Sequence, residues 1–329
     1  MAVALSVVIA CKDVAETIGV QLEALAGQRA DLDWEVLLCD NGSVDATLEV
    51  VEKYQGRVPG LRVVPAAGRS GPAYARNVGA AESRARWLAF VDGDDEVAAD
   101  WLPAMVAGLR QHDFIAGRFE GRRLNSPSVL RSRQLDQDTD LQYSPFGLPL
   151  PHAGGGNLGV SRAVFEEVGG FDDRLQCLED TDFCWRVQLA GYPLVFWPDA
   201  VVHVRLRSSA RGQWAQGRTY GSAAAVLDAR YREIAAASQF GSRPAAQDRR
   251  PVLVRRMARM VKLARQPGSL VWQAGWSVGY RRPFADMSGP HEPADNGRGQ
   301  GPVDRLATLA DQQLVRPAEW PGAEEARPR

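Results

Sequence analysis

The sequence predicts an α/β fold, with a mostly parallel central sheet flanked by helices and a helical extension at its C-terminal side. Three observations carry this. Short apolar runs rich in β-branched residues alternate with stretches whose apolar residues recur at helical spacing. Two of the runs end in turns containing acids. After Arg207 the pattern is helical alone, to about Ala236.

Taken in order, residues 6–10 form a strand, 15–26 a helix, and 35–39 a second strand that closes in the turn Asp40-Asn41-Gly42-Ser43. Residues 45–54 continue as a helix, 61–65 as a strand, 73–84 as a helix and 87–91 as a strand ending in acids. Such alternation builds a parallel sheet whose ligands bind beyond the carboxyl ends of the strands. The turns after Cys39 and Val91 are therefore expected at a ligand crevice. From 113 to 150 the periodicity loosens: a strand over 114–119 leads into a loop rich in Arg, Ser, Gln and Pro. Regularity returns with the glycine-rich run 154–159, a helix over 162–168, another near 181–190 and a strand over 193–197. Residues 1–205 read as one domain divided near 105, residues 206–285 as a basic helical extension, and residues 286–329, rich in Gly, Pro and charge, as a disordered tail.

With 329 residues, 45% of them hydrophobic and 24% charged, the composition is that of a globular protein. A net charge of -1 gives no overall attraction to nucleic acid. The four cysteines show no C-x-x-C pairing and read as reduced, buried thiols. No apolar run approaches the roughly 20 residues of a membrane span, and the apolar start reads as a buried strand. The expected location is cytoplasmic, with membrane contact only peripheral, at the inner face. Without an export signal, the glycosylation sequon at Asn41 is empty.

Phe90-Val91-Asp92-Gly93-Asp94-Asp95 places carboxylates two residues apart just after an apolar strand, with Gly93 letting the backbone approach a ligand. This suits Mg2+ or Mn2+ held by one or two carboxylates together with the phosphates of a nucleoside diphosphate. An acidic turn capping the next helix has the same letters. The turn at Asp40 likewise caps a helix in most proteins. Arg76 and Asn77, near a helix start beside the crevice, can meet a donor nucleotide or lie on a solvated face. The run 154–159 contains G-x-G-x-x-G but follows Pro-rich sequence and stands mid-chain, so it is not a dinucleotide fingerprint. His152 beside it reads as a surface or core histidine, or as a ligand contact.

Glu179-Asp180-Thr181-Asp182 opens a helix, where the helix dipole favours acids. Three acids in four residues also raise one another's pKa, which suits a general base. His203 follows an apolar strand, and Arg205, Arg207, Arg211 and Arg218 follow it closely enough to neutralise a diphosphate. Between Arg249 and Pro283 there are nine cations and no acid, interleaved with apolar residues, while Trp272, Trp276 and Tyr280 recur at helical spacing. That stretch reads equally as a contact with an anionic membrane or as a packing element with a solvated basic side.

Val7-Val8-Ile9-Ala10-Cys11, Asp40-Asn41-Gly42-Ser43 with Asp45 and Thr47, the acids at 92–95, and Gly169-Gly170-Phe171-Asp172 with the acids at 179–182 occur in one order. From about Leu5 to His203 the chain resembles the family 2 glycosyltransferases of the GT-A fold. The resemblance implies a metal-dependent, inverting sugar transfer from a nucleoside diphosphate sugar to an acceptor hydroxyl. Residues 1–105 become the nucleotide-sugar-binding half and 106–205 the acceptor and catalytic half. Carried over residue by residue, it implies donor contacts from Ala10, Asp40, Arg76, Asp92 and Asp94, and a Mn2+ or Mg2+ ion on Asp94 and His203. It further implies Asp180 as the base with Glu179 beside it, and acceptor contacts from Gly155, Asn157 and Asp182. Where the family often shows two successive acids, this chain has Asp40-Asn41. Two alternatives stand beside this reading. A nucleotidyltransferase would need a glycine- and cation-rich phosphate loop that residues 9–16 lack, and a non-catalytic sugar-nucleotide or lipid-binding protein would need Asp94, Asp180 or His203 turned from the crevice.

Overall fold

The computed structural model describes residues 3–132, 135–237 and 267–283. Its centre is an eight-stranded sheet in the order β3-β2-β1-β4-β9-β6-β10-β5. The strands are β1 (Leu5–Cys11), β2 (Trp34–Asp40), β3 (Arg62–Pro65), β4 (Trp87–Asp92), β5 (Glu96–Val97), β6 (Phe114–Glu120), β9 (Asn157–Ser161) and β10 (Val195–His203). A separate pair, β7 (Gln142–Tyr143) and β8 (Pro151–His152), forms a small antiparallel ribbon. Strands β3, β2, β1 and β4 are mutually parallel, as the alternating pattern predicts.

Period-two alternation sorts the core. Val7 and Ile9 face a cluster completed by α1 (Ile18–Ala26) and α4 (Trp101–Leu109). Val8 faces the opposite cluster with α3 (Pro72–Glu82), α6 (Arg162–Glu167) and α7 (Glu179–Leu189). The short helix α2 (Thr47–Glu52) adds Val51 to the first cluster, and a further short helix is α5 (Pro127–Ser132). All four cysteines are buried and free.

The second half departs from the sequence reading at three places. Asn157–Ser161, within and just past the glycine-rich run, is a strand inserted antiparallel between β4 and β6. After the acidic turn come the two-residue strand β5 and helix α4, neither of which the sequence reading assigned. The expected strand over 193–197 extends to His203 as one nine-residue strand, with a register shift between Trp197 and Val201. Pro198 lies in that shift, where a missing N–H is tolerated.

The C-terminal extension consists of α8 (Ala210–Ala237) and α9 (Pro267–Arg281). No helix among the described residues is long and apolar enough to cross a membrane. The expected tail at 286–329 and most of the basic stretch, 249–266, lie outside the described residues.

Candidate functional site

The carboxyl ends of β1, β2 and β4 meet at one crevice. Strand register sets Ala10 beside both Cys39 and Asp92, and Cys11 beside Asp40. Asp40 ends β2 and accepts the Ser43 N–H at 3.1 Å, so its turn-forming role is realised. The loops after β1 and β2 are laced together. Asp13 accepts Val44 N–H at 2.8 Å, and Asp45 accepts Ala15 N–H at 3.0 Å. Asn41, at the departure from the family's paired acids, is buried. Its Nδ2 donates to the carbonyls of Ala66 and Arg69, and its Oδ1 accepts Gly71 N–H at 2.8 Å. The carboxamide thus ties the turn after β2 to the segment leading into α3. An aspartate there would lack the two donors.

Arg76 is not on a solvated face. It is 3% exposed and bridges two acids, donating from Nη2 to Asp92 at 2.8 Å and from Nη1 to Glu179 at 2.6 Å. Its ring-like plane stands over Phe171, 5.4 Å from the centroid, and its Nε is buried without a partner. Burial alone would lower its pKa, but Asp92, Glu179 and Asp180 together raise it, so the cation persists. Two glycines close over this bridge. A Cβ at Gly155 would stand 2.8 Å from the guanidinium, and one at Gly156 would stand 2.7 Å from Asp92 Oδ2. Only glycine admits such an approach.

Helix α7 begins after Leu178, which is held at φ 59°. Asp180, half-buried in the first turn, accepts Gly155 N–H at 2.9 Å and Thr181 N–H at 2.7 Å. Burial raises its pKa against the restraint of those donors and of Arg76. Glu179 is buried, and its pKa is pushed up to about 7, first by burial and then by Asp180, with Arg76 opposing.

On the other side of Asp92 the chain turns through Asp94 and Asp95. Asp95 is buried and accepts Arg205 N–H at 2.8 Å. Asp94 is exposed on one side, yet desolvation within the loop and then the charge of Asp92 raise its pKa, while Arg207 and Arg205 lower it. The Arg205 side chain donates to the Asp94 carbonyl at 3.1 Å. His203, opposite Glu96 in the β10–β5 register, is bonded through Nδ1 to Glu120 at 2.7 Å. Among the described residues no group of three His, Cys, Asp or Glu side chains could by itself hold an ion.

The structure brings Gly155 to the base helix but uses two other expected acceptor residues internally. Asn157 is wholly buried because β9 enters the middle of the sheet. Its carboxamide accepts Trp101 Nε1–H at 2.9 Å and donates to the carbonyls of Arg118 and Ala200. Asp182 is also wholly buried, taking Arg186 at 2.7 Å, Arg230 at 2.7 Å and the Tyr231 hydroxyl at 2.8 Å, which lower its pKa to about 2 against burial. Its oxygens are occupied by contacts within α7 and to α8. His152 lies in the core between Ser144 and Thr181, and burial lowers its pKa to about 4. Arg230 and Tyr231, which the sequence reading did not single out, reach Asp182 from the last third of α8. Nothing local in that helix announces them.

Residues 6–169 match the family model described as glycosyl transferase family 2. The chain is 30% identical over 199 residues to glycosyltransferase AglE of Haloferax volcanii, covering 60% of this chain and 65% of that protein. It is 29% identical over 203 residues to the pre-mycofactocin glycosyltransferase of Mycobacterium tuberculosis, covering 60% of this chain and 43% of that one. It thus spans less than two thirds of either relative. Among solved structures, mannosyltransferase PcManGT from Pyrobaculum calidifontis in complex with GDP-Man and Mn2+ shares the fold, with a TM-score of 0.58 at 17% identity over 86% of this chain and 88% of that chain. The ordered motifs, the crevice at the strand ends and these matches agree: the chain belongs to the family 2 glycosyltransferases, with a GT-A-like fold.

Proposed function

We propose that the chain transfers one sugar from a nucleoside diphosphate sugar to an acceptor hydroxyl, with inversion, using Asp180 as general base and a divalent ion, Mn2+ or Mg2+. The observation that carries this reading is the placement of Asp180. It is half-buried at the start of α7, fixed by the Gly155 and Thr181 amides, and linked through Glu179 and Arg76 to Asp92 at the donor strand end. The complex of the mannosyltransferase PcManGT with GDP-Man and Mn2+ supports a nucleotide sugar and an ion in a fold of this kind.

Asp40, Ala10 and Asp92 line the nucleoside side of the crevice, and Arg76 holds Asp92 in place from below. The donor set fits an ion that draws most ligands from diphosphate and water, because Asp94 presents a carboxylate and His203 a single nitrogen. Glu120 holds His203 by Nδ1, the orientation a metal-binding imidazole takes, and leaves Nε2 for the ion. When bound, the ion supplies Lewis-acid neutralisation of the leaving diphosphate. Arg205 and Arg207, beside Asp94, add positive charge there. Asp180 keeps free lone pairs on both oxygens, and its raised pKa suits it to take the acceptor's proton as the hydroxyl attacks. Gly155 and its loop form the floor on which that hydroxyl rests.

Asp180→Asn keeps the shape and one of the two amide contacts, since Gly155 N–H bonds Oδ2 and Thr181 N–H bonds Oδ1, but it cannot take the proton. Transfer falls by a factor of about 10²–10⁴, while calorimetric binding of the nucleoside diphosphate stays unchanged. Full transfer by this variant would remove Asp180 as the base. Stabilisation by nucleoside diphosphate should require Mn2+ or Mg2+, and equal thermal shifts with and without chelator would remove the ion.

A further inference from the structure

Helix α7 carries Asp180 in its first turn, and its opposite side is gripped by α8. Asp180 and Asp182 stand two residues apart in the helix, roughly 200° around its axis, so they point to opposite sides. Asp180 accepts the Gly155 amide at 2.9 Å. Asp182 accepts the Arg230 guanidinium at 2.7 Å and the Tyr231 hydroxyl at 2.8 Å, both from α8. The second arm of the Arg230 fork reaches Asp172 at 2.9 Å. Asp172 closes the run Gly169-Gly170-Phe171-Asp172, in which the Gly170 carbonyl accepts Arg186 of α7 at 2.7 Å and Phe171 lies 5.4 Å beneath the Arg76 guanidinium. Asn77 of α3 holds the same run, accepting Phe171 N–H at 2.9 Å and donating to the Phe171 carbonyl at 2.8 Å. One α8 arginine therefore touches both α7 and the loop beneath the bridge that joins Glu179 to Asp92.

Apolar packing already joins the two helices. Trp185 of α7 meets the Tyr231 ring edge-on at 5.2 Å, within a buried cluster that includes Leu148, Leu175, Leu189 and Leu227. Burial of that kind supplies attraction without direction. A buried ion pair adds little net stability over apolar residues of similar volume, because desolvation offsets its attraction. Its distinct effect is geometric, since the planar guanidinium fork fixes two carboxylates at once. Asp182 is wholly buried, and the side chains of Arg230 and Asp172 are only 15% and 8% exposed. A rotation of α7 about its axis would break the contacts to α8 and lift Asp180 from Gly155 together.

We propose that Arg230 and Tyr231 are positioning residues: through Asp182 they set the rotation of α7 and so hold Asp180 against Gly155. The consequence for sugar transfer rests on Asp180 being the base, whereas the geometric part stands without it.

The test uses the full chain. Tyr231→Phe removes one hydroxyl and keeps the ring in the cluster, and Arg230→Met removes the fork but keeps an apolar stem. Hydrogen exchange resolved at the Gly155 amide needs neither donor nor acceptor. Tyr231→Phe should speed exchange there by roughly tenfold, as expected for one lost buried hydrogen bond. Arg230→Met should speed it further, while the amides of β1 and β4 keep their protection. Release of UDP or GDP from the corresponding sugar nucleotides with Mn2+ should fall by about tenfold to a hundredfold in Arg230→Met, the scale of a group displaced by about 1 Å, with nucleoside diphosphate affinity unchanged. Arg230→Lys, which can meet one carboxylate, should recover part of that loss. In an Asp180→Asn background no base is left to position, so Arg230→Met should cost little more. Unaltered exchange at Gly155, or faster exchange spread evenly over the sheet, overturns the proposal. So does an equal Arg230→Met loss in both backgrounds when Asp180→Asn is itself impaired. Full release by Asp180→Asn removes the base and leaves the exchange result to judge the clasp, so the two failures are distinguishable.

Discussion

Arg76 donates from Nη1 to Glu179 Oε1 at 2.6 Å, joining two side chains 103 residues apart in sequence, both withdrawn from water. The same guanidinium reaches Asp92, so the donor strand end and the first turn of the base helix share one cation. Removing one partner of a buried pair leaves an uncompensated charge, which costs far more than the pair contributes. Glu179 escapes part of that penalty by holding a proton more tightly than a free glutamate.

That proton gives a pH signature. Glu179 has its pKa raised from 4.5 to about 7, so its contribution to stability is full below about pH 4.5 and is lost as the pH rises through 7. Asp182, lowered from 3.8 to about 2, acts in a separate, more acid window, where its contribution is lost as pH falls. Glu179→Gln should therefore flatten the decline in melting temperature between about pH 4.5 and pH 7 while leaving the acid limb intact. An identical slope in both proteins across that window would show that Glu179 titrates normally.

Asn41→Asp restores the acid pair common in the family and should nevertheless harm this chain. The substitution removes both donors to the Ala66 and Arg69 carbonyls and sets a carboxylate against them. Leaving buried polar groups unsatisfied costs about 1–3 kcal/mol each. A lower melting temperature is expected, together with weaker nucleoside diphosphate binding, because the segment leading into α3 is loosened. Unaltered stability in a denaturation series would mean that Asn41 is not the tether.

Gly221→Val drives a side chain into the backbone of α9, where even a Cβ would stand 2.0 Å from the Trp276 carbonyl. Overpacking of this kind costs about 1–3 kcal/mol. Separation of α9 from α8 should expose residues 267–283 to limited proteolysis, with nucleotide affinity held, since the α9 glycines pack against α8 and Trp276 and Tyr280 reach Phe146 and Asp228. Protease resistance equal to that of the unaltered chain would show that the helices tolerate a wider separation.

The parallel half was legible because its signals are local. Each strand from β1 to β4 carries its own apolar period, and each ends in residues whose chemistry is visible in place, such as Asp40 and Asp92. Strand β9 was not legible. Asn157-Leu158-Gly159-Val160-Ser161 alternates Leu158 and Val160 with small and polar residues, but it starts inside a glycine-rich run and carries only two large apolar residues, and it becomes a strand by pairing antiparallel with both β4 and β6. Helix α4 was passed over for the acids that precede it.

The acids were found by type and spacing, while their division of labour was not. Sequence alone determined the sheet class and the parallel strands whose ends carry Asp40 and Asp92. Only the tertiary structure decided that Arg76 is an internal bridge, that Asn157 and Asp182 serve packing and orientation, and that Trp276 packs against Phe146. The physical reason is one of range: hydrophobic period is a property of neighbouring residues, whereas the partner of a buried charge or carboxamide is chosen by packing that brings distant segments together.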